Sequence, residues 1–248
     1  MPDTLGYRKN FGIVIPSVNT AAQPEFEAMR PPGVTNQTAR IFIPFIPLVD
    51  DASFVRHVET MRAGITAAVE QIATCQPDHL VMGLSLEAFW DGVEGSERLR
   101  ASLEKLAGCP VSMGSNAILA ALRVVGDVRR LGILTPHPPL GDARVRAFFT
   151  EAGYEVVRMK GLGVKSGLAI ARIPEAELRR ALMDLDGDDL DALVQVGTNL
   201  PMARLAAEAE ASLAKPVLAI NTATYWRALR ASGIDDKVQG FGPLLAVH

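Results

Sequence analysis

Two stretches of the chain share a pattern in which a short apolar run ends in small polar residues just before a helix. The first is Leu80–Gly92, LVMGLSLEAFWDG, where the apolar run meets Gly83 and Ser85. The second is Leu193–Pro201, LVQVGTNLP, where the run meets Gly197-Thr198-Asn199. Continuous apolar runs are typical of buried parallel strands, and ligands bind at the carboxyl ends of such strands. The pattern therefore predicts two matching strand ends that form one site.

The rest of the chain also alternates between apolar runs and amphipathic segments, which predicts an α/β fold with parallel sheets. Strands are predicted at Asn10–Ile15, Thr38–Ile43, Leu80–Gly83, Val111–Met113, Arg130–Leu134, Val156–Met159 and Leu193–Val196. Helices are predicted at Glu25–Arg30, Ser53–Cys75, from Glu87 or Ser96 to Leu106, from Ser115-Asn116 to Val125, at Met202–Ala214 and in a last segment, NTATYWRALR.

The sequence repeats itself, because three pairs of segments recur in the same order a little over one hundred residues apart. FGIVIPSVN matches LGILTPHPP, LVMGLS matches LVQVGT, and PVSMGSNAILAALR matches PVLAINTATYWRALR. Such self-similarity indicates a duplicated unit. We therefore predict two similar parallel-sheet halves: residues 1–114 with 220–248, which include the closing C-terminal helix, and residues 115–219.

Composition narrows the classes of partner. The 248 residues are 48% hydrophobic and 21% charged, with a net charge of −3 and no basic stripe, which argues against nucleic acid as a partner. No apolar run reaches the length of a membrane span, and the start, MPDTLGYRKN, lacks the apolar core of a signal peptide. We expect a cytoplasmic protein with a small-molecule partner and no membrane partner. The last helix and the PLLAV segment leave open whether the chain packs on itself or forms a homo-oligomer.

If the two halves face each other, four loops meet in one cleft. These are Pro16–Thr20, Gly83–Glu87, Pro136–Asp142 and Gly197–Asn199, and the glycine-rich Gly161–Gly167 is a fifth candidate that lacks the spacing of a nucleotide-binding loop. The two cysteines, Cys75 and Cys109, are too few and too far apart to bind a metal, and we expect both to be buried free thiols.

The segments VIPSVNT, LVMGLSLEAFWDG and LVQVGTN resemble those of the aspartate/glutamate racemase superfamily, and the most similar branch is that of the maleate cis-trans isomerases and arylmalonate decarboxylases. The resemblance covers nearly the whole chain. It implies two similar α/β domains related by a pseudo-twofold axis, no cofactor or metal, and a small mono- or dicarboxylate substrate bound between the domains.

The resemblance also assigns roles to single residues. Asn19 matches an asparagine that holds a substrate carboxylate, and Ser85 matches a serine that forms a carboxylate-binding pocket with adjacent backbone N–H groups. Thr198 and Asn199 belong to the matching pocket of the second half. His137 falls where the decarboxylases carry a tyrosine. Each also has a structural reading: Asn19 can hold its own loop, Ser85 and Thr198 can cap helices, and His137 can be an exposed turn residue.

The chain departs from the family at the reactive cysteines. The corresponding positions are Gly83 or Leu84 in the first half and Gly197 in the second, and neither Cys75 nor Cys109 falls there. Because the thiolate is the reactive species, a thiol mechanism is hard to sustain.

The remaining groups suggest chemistry next to a carboxylate. Backbone N–H groups with the Ser85 and Thr198 hydroxyls would stabilise an enediolate, and His137, Glu87 or Lys165 would transfer the proton. His137 is preferred because its usual pKa is about 6.5. The primary hypothesis is a cofactor-independent lyase or isomerase. A hydrolase with Ser85 as nucleophile and His137 as base, and a carboxylate-binding protein without activity, remain open.

Overall fold

Eight strands form two four-stranded parallel sheets in the computed structural model, which describes residues 3–45 and 47–248. The first sheet has the order β2-β1-β3-β4 and the second has the order β6-β5-β7-β8, so the two halves repeat one topology. The strands are β1 Lys9–Pro16, β2 Val34–Ile41, β3 His79–Met82, β4 Val111–Met113, β5 Arg130–Thr135, β6 Glu155–Gly161, β7 Ala192–Gln195 and β8 Val217–Ala219. The predicted fold class is confirmed.

Helices follow the strands in both halves. They are α1 Ala22–Met29, α2 Asp51–Ala73, α3 Leu86–Phe89, α4 Gly92–Ala107, α5 Gly114–Val124, α6 Pro139–Glu151, α7 Gly167–Ile170, α8 Glu175–Leu185, α9 Ala203–Leu213, α10 Ile220–Ala231 and α11 Pro243–Ala246. None of the helices in the part of the chain that the structure describes is long and apolar enough to cross a membrane.

Capping explains where the helix boundaries differ from prediction. Helix α1 begins at Ala22 because the side chain of Asn19 accepts hydrogen bonds from the N–H groups of Ala21 and Ala22. Helix α2 begins at Asp51 because the Asp50 side chain accepts a hydrogen bond from the N–H of Ser53, two residues into the helix. The segment after β3 forms two helices, because Gly92 adopts a left-handed φ of +72° at the junction.

One hydrophobic core joins the two sheets. It contains side chains of the first sheet, such as Phe11 and Ile13, together with side chains of the second, such as Ile133 and Val194. Helix α10 packs against β3, β4 and α5, although it follows β8 in the chain. The division in which the C-terminal helix closes the first half stays a prediction.

Candidate functional site

A cavity of about 70 Å³ lies at the carboxyl ends of β1, β3, β5 and β7. This volume is enough for several water molecules or for part of a small organic ligand. Eight of the ten predicted site residues line the cavity: Asn19, Leu84, Ser85, Glu87, His137, Gly197, Thr198 and Asn199. The loops of both sheets therefore meet at one place.

Two predicted site residues do not line the cavity. Gly83 lies behind it, where its carbonyl oxygen accepts a hydrogen bond of 2.9 Å from the Thr198 hydroxyl. Lys165 is exposed, and its carbonyl oxygen accepts a hydrogen bond from the N–H of Leu48. The glycine-rich loop approaches the cavity through Val164 and Gly167 on either side of Lys165 instead.

Asn19 and Asn199 join loops of the two sheets. The side-chain nitrogen of Asn19 donates to the Thr198 hydroxyl at 3.1 Å, while its oxygen caps α1. The side-chain oxygen of Asn199 accepts a hydrogen bond from the N–H of Thr20, and its nitrogen donates to the carbonyl of Gly167 at 2.7 Å. Both amides thus already have structural partners.

Ser85 and several backbone N–H groups keep free hydrogen-bonding capacity. Ser85 occupies the N-cap position of α3, but its side chain makes no capping bond. Thr198 precedes α9 by five residues and is not a cap. The N–H groups of Leu84, Ser85, Thr198 and Asn199 donate to no acceptor in residues 3–45 and 47–248. Both matching strand ends therefore offer unpaired donors.

Glu87 is a buried acid at the cavity. Its side chain is 3% exposed, and Oε1 has no hydrogen-bond partner among the described residues. Burial raises the pKa of Glu87 to about 7, because the charged carboxylate is poorly solvated there. Glu87 therefore exists in both protonation states near neutral pH.

His137 is buried in the same wall of the cavity. This burial excludes the alternative in which His137 is an exposed turn residue. The backbone N–H of His137 donates to the Thr135 hydroxyl, which in turn donates to the Asp142 carboxylate. The ring atom Nε2 has no partner in the described chain. Burial, with a smaller contribution from His57, lowers the pKa of His137 to about 4. The prediction that His137 titrates near neutral pH is wrong, because packing removes solvent from the ring.

His57 is a cavity residue that sequence reasoning missed. It lies on α2, is buried, and has an Nδ1 atom without a partner among the described residues. Burial lowers its pKa. The sequence carried a signal, because His57 lies three residues after Phe54 and four before Met61, on the face of α2 that lines the cavity.

The cavity lining contains neither cysteine. Cys75 is exposed, contrary to prediction, and Cys109 is half-buried, with the pKa of its thiol raised to about 11 by burial. Gly197 has a φ of +121°, and a Cβ there would lie 2.5 Å from Cδ of Pro136. A Cβ on Gly83 would lie 2.4 Å from Cγ2 of Ile15. Packing therefore leaves little room for a side chain at either position.

The other walls are mainly apolar, with Leu48, Phe54, Met61, Leu86, Val164 and Ile170 around the polar groups. Within the described residues, no group of three or more His, Cys, Asp or Glu side chains is arranged to hold a metal ion.

Comparisons with known proteins agree with this architecture. The profile of the arylmalonate decarboxylase family (Amdase) matches residues 51–245. The maleate isomerase of Pseudomonas putida is 28% identical over 95% of this chain and 96% of its own. The arylmalonate decarboxylase of Bordetella bronchiseptica is 30% identical over 66% of this chain and 69% of its own.

The fold is also similar to that of a solved structure of a maleate cis-trans isomerase variant from Nocardia farcinica. The TM-score is 0.87 at 22% identity, and the match covers 97% of this chain and 99% of that chain. That protein carries a covalently bound succinylcysteine intermediate.

Proposed function

Because this chain belongs to the arylmalonate decarboxylase family, we propose that it is an enzyme, a lyase or isomerase that acts beside the carboxylate of a small organic acid. One observation carries the proposal: the loops of both sheets bring unpaired hydrogen-bonding groups to one buried, largely apolar cavity. Unpaired polar groups in such surroundings are costly, and they are typical of sites that pair with a ligand.

The unpaired donors suit a carboxylate and the enediolate formed from it. In this mechanism the N–H groups of Leu84 and Ser85 face one end of the ligand, and those of Thr198 and Asn199 face the other. As a C–H bond or a C–CO₂ bond breaks, its electron pair moves onto the carboxylate oxygens. Fixed donors stabilise that charge, and removal of one typically costs about 10²–10³ in rate.

Glu87 is the proposed proton carrier. A pKa of about 7 places this acid where proton donation and acceptance are both effective at neutral pH. In decarboxylation, the C–CO₂ bond breaks, CO₂ leaves and the carboxylic acid of Glu87 protonates the carbon. In isomerisation of an unsaturated acid, the carboxylate of Glu87 removes the proton from the carbon beside the substrate carboxylate, and the C–H electron pair moves onto the carboxylate oxygens. The resulting acid of Glu87 returns the proton to the far carbon of the double bond, so that the double bond shifts by one carbon. His137 serves as a hydrogen-bonding group.

The proposed route uses neither a thiol nor a cofactor. Its support is that neither Cys75 nor Cys109 lines the cavity, whereas the Nocardia protein carries its succinyl group on a cysteine. A serine hydrolase is less well supported, because no hydrogen bond joins Ser85 to His137 in the described chain.

The test is product analysis with maleate and a series of 2-aryl and 2-alkyl malonates in D₂O. Nuclear magnetic resonance would detect loss of CO₂, isomerisation or deuterium next to the carboxylate. We expect one of these reactions, with full activity in the double variant Cys75→Ser/Cys109→Ser. Loss of activity in that variant would contradict the thiol-free route. Ligand binding with no product from any acid would favour a binding protein.

A further inference from the structure

The cavity lacks a permanent positive charge that could balance an anionic ligand. Its lining includes no arginine or lysine among the described residues, and Lys165 is exposed outside it. An anion that leaves water for an apolar cavity pays a large desolvation cost unless a cation or several hydrogen bonds compensate. Among the lining side chains, only His57 and His137 can become cationic.

Two histidines, one from each half, line the same cavity. His57 comes from α2 of the first half, and His137 comes from the loop after β5 of the second. Each ring keeps one buried nitrogen without a partner in the described chain, Nδ1 in His57 and Nε2 in His137. Buried imidazole nitrogens normally have partners, so two orphans at one cavity point to a missing ligand.

Each ring has an identified neighbour on the cavity wall. Phe54 packs beside His137, with ring centroids 6.3 Å apart. Gly167 faces His57, and a Cβ on it would lie 3.8 Å from Cε1 of the ring, so the glycine leaves the imidazole clear. The charge of one histidine disfavours that of the other, so the pair accepts one proton more readily than two.

We propose that His57 and His137 form an anion-binding pair that takes up one proton when a carboxylate enters the cavity. The inference rests on the proposed function and names how the same site gains its charge. The proton comes from solvent and is shared by two rings that the ligand bridges. Binding therefore strengthens as the pH falls.

Other titratable groups near the pair define the controls. Glu87 lines the same cavity and also takes up a proton if an anion binds above pH 7. Asp142 reaches the loop of His137 through the Thr135 hydroxyl, and Arg62 of α2 acts on Glu87. At pH 6 Glu87 is mostly protonated already, so it contributes little to proton uptake. Burial raises the pKa of Asp142 to about 6, so the variant Asp142→Asn is the control for that group.

The test is calorimetric titration of the protein with succinate and with phenylacetate at pH 6, in buffers of different ionisation enthalpy. We expect uptake of about half to one proton per ligand, and affinity that rises about three- to tenfold per unit fall in pH. The variant His57→Asn/His137→Gln keeps an amide nitrogen near each orphan position but cannot be protonated. It should lose the uptake and bind at pH 6 about tenfold more weakly, whereas Glu87→Gln should keep the uptake.

Several outcomes would overturn the proposal. If the wild type binds either acid without proton uptake, the proposed histidine pair is wrong, whereas the proposed function is unaffected. If uptake survives in the double variant and disappears in Glu87→Gln, Glu87 carries the proton instead. If neither acid binds, both the pair and the carboxylate site fail. Binding with uptake but without turnover of any substrate removes only the proposed function. The single variants replace the double variant if it does not fold, and each should reduce the uptake.

Discussion

Asn19 and Thr198, which follow strands of different sheets, are joined by a hydrogen bond of 3.1 Å. The Thr198 hydroxyl accepts from the Asn19 amide and donates to the carbonyl of Gly83 at 2.9 Å. One buried hydroxyl thus connects the loops after β1, β3 and β7, and it holds together the two sides of the cavity.

Replacement of this hydroxyl should therefore destabilise the fold. Thr198→Val keeps the shape of the side chain but leaves the Asn19 amide and the Gly83 carbonyl without their partner. We expect a loss of about 1–3 kcal/mol in the free energy of unfolding, measured with urea. Thr198→Ser keeps the hydroxyl and should retain most of the stability. Equal stability of the valine variant and the wild type would show that the bond contributes nothing.

Loss of the proton from Glu25 should lower the free energy of unfolding as the pH rises. Its carboxylate accepts hydrogen bonds from the N–H of Ala203 and the side chain of Asn221, and burial raises its pKa to about 7. A raised carboxyl pKa means that the folded state binds more protons than the unfolded state between about pH 4.5 and 7. Stability from this group is therefore lost across that window, by roughly 3 kcal/mol.

The variant Glu25→Gln checks this assignment because it cannot titrate. Urea unfolding from pH 5 to 8 should give a smaller decrease in stability for the variant than for the wild type. Parallel curves would mean that Glu25 titrates normally in the folded protein.

Glu87→Gln should separate stability from activity. Burial also raises the pKa of Glu87 to about 7, so its charge lowers the stability of the wild type as the pH rises. The gain in the free energy of unfolding from Glu87→Gln should therefore be larger at pH 8 than at pH 5. If Glu87 donates the proton, turnover should fall about 10²-fold or more, and the decline of wild-type kcat above pH 7 should disappear. A variant with unchanged turnover would exclude Glu87 as the acid.

Gly197→Ala tests whether packing excludes a side chain at the position where the resemblance to the family implies a cysteine. Gly126 is the matched control, because its φ of +144° is also left-handed but a Cβ there would meet nothing within 4 Å. In both variants the alanine is strained by the positive φ, and only in Gly197→Ala must Pro136 also move. We expect Gly197→Ala to be less stable by about 1–3 kcal/mol than Gly126→Ala in urea unfolding. Similar losses would show that Pro136 moves without cost.

The sequence predicts seven of the eight strands, mainly because they are short apolar runs with a polar end. Strand β8 is not predicted, and β2 begins at Val34, four residues before its predicted start, because its first residues, VTNQT, are mostly polar. β4 has its predicted bounds, Val111–Met113, and β3 differs by one residue at each end. Likewise, matching strand ends correctly placed Ser85 and Thr198 at one cavity. These predictions succeed because they depend on local pattern and on the topology of parallel sheets.

Charge states could not be predicted in the same way. The pKa of His137 depends on burial by residues distant in sequence, such as Phe54, and no local pattern shows this. Whether His57 lines the cavity depends on which side of α2 faces the second sheet. Lys165 was a candidate because it follows a strand, but its loop carries the side chain outward.

The exposed position of Cys75 has a practical consequence. This thiol lies just beyond the end of α2, the helix that carries His57 near its other end, and the half-buried Cys109 stays protonated at pH 8 because its pKa is about 11. A maleimide dye should therefore attach at a single position, far from the bound acid. A fluorescent label at Cys75 would therefore allow ligand binding to be followed without altering any residue that lines the cavity.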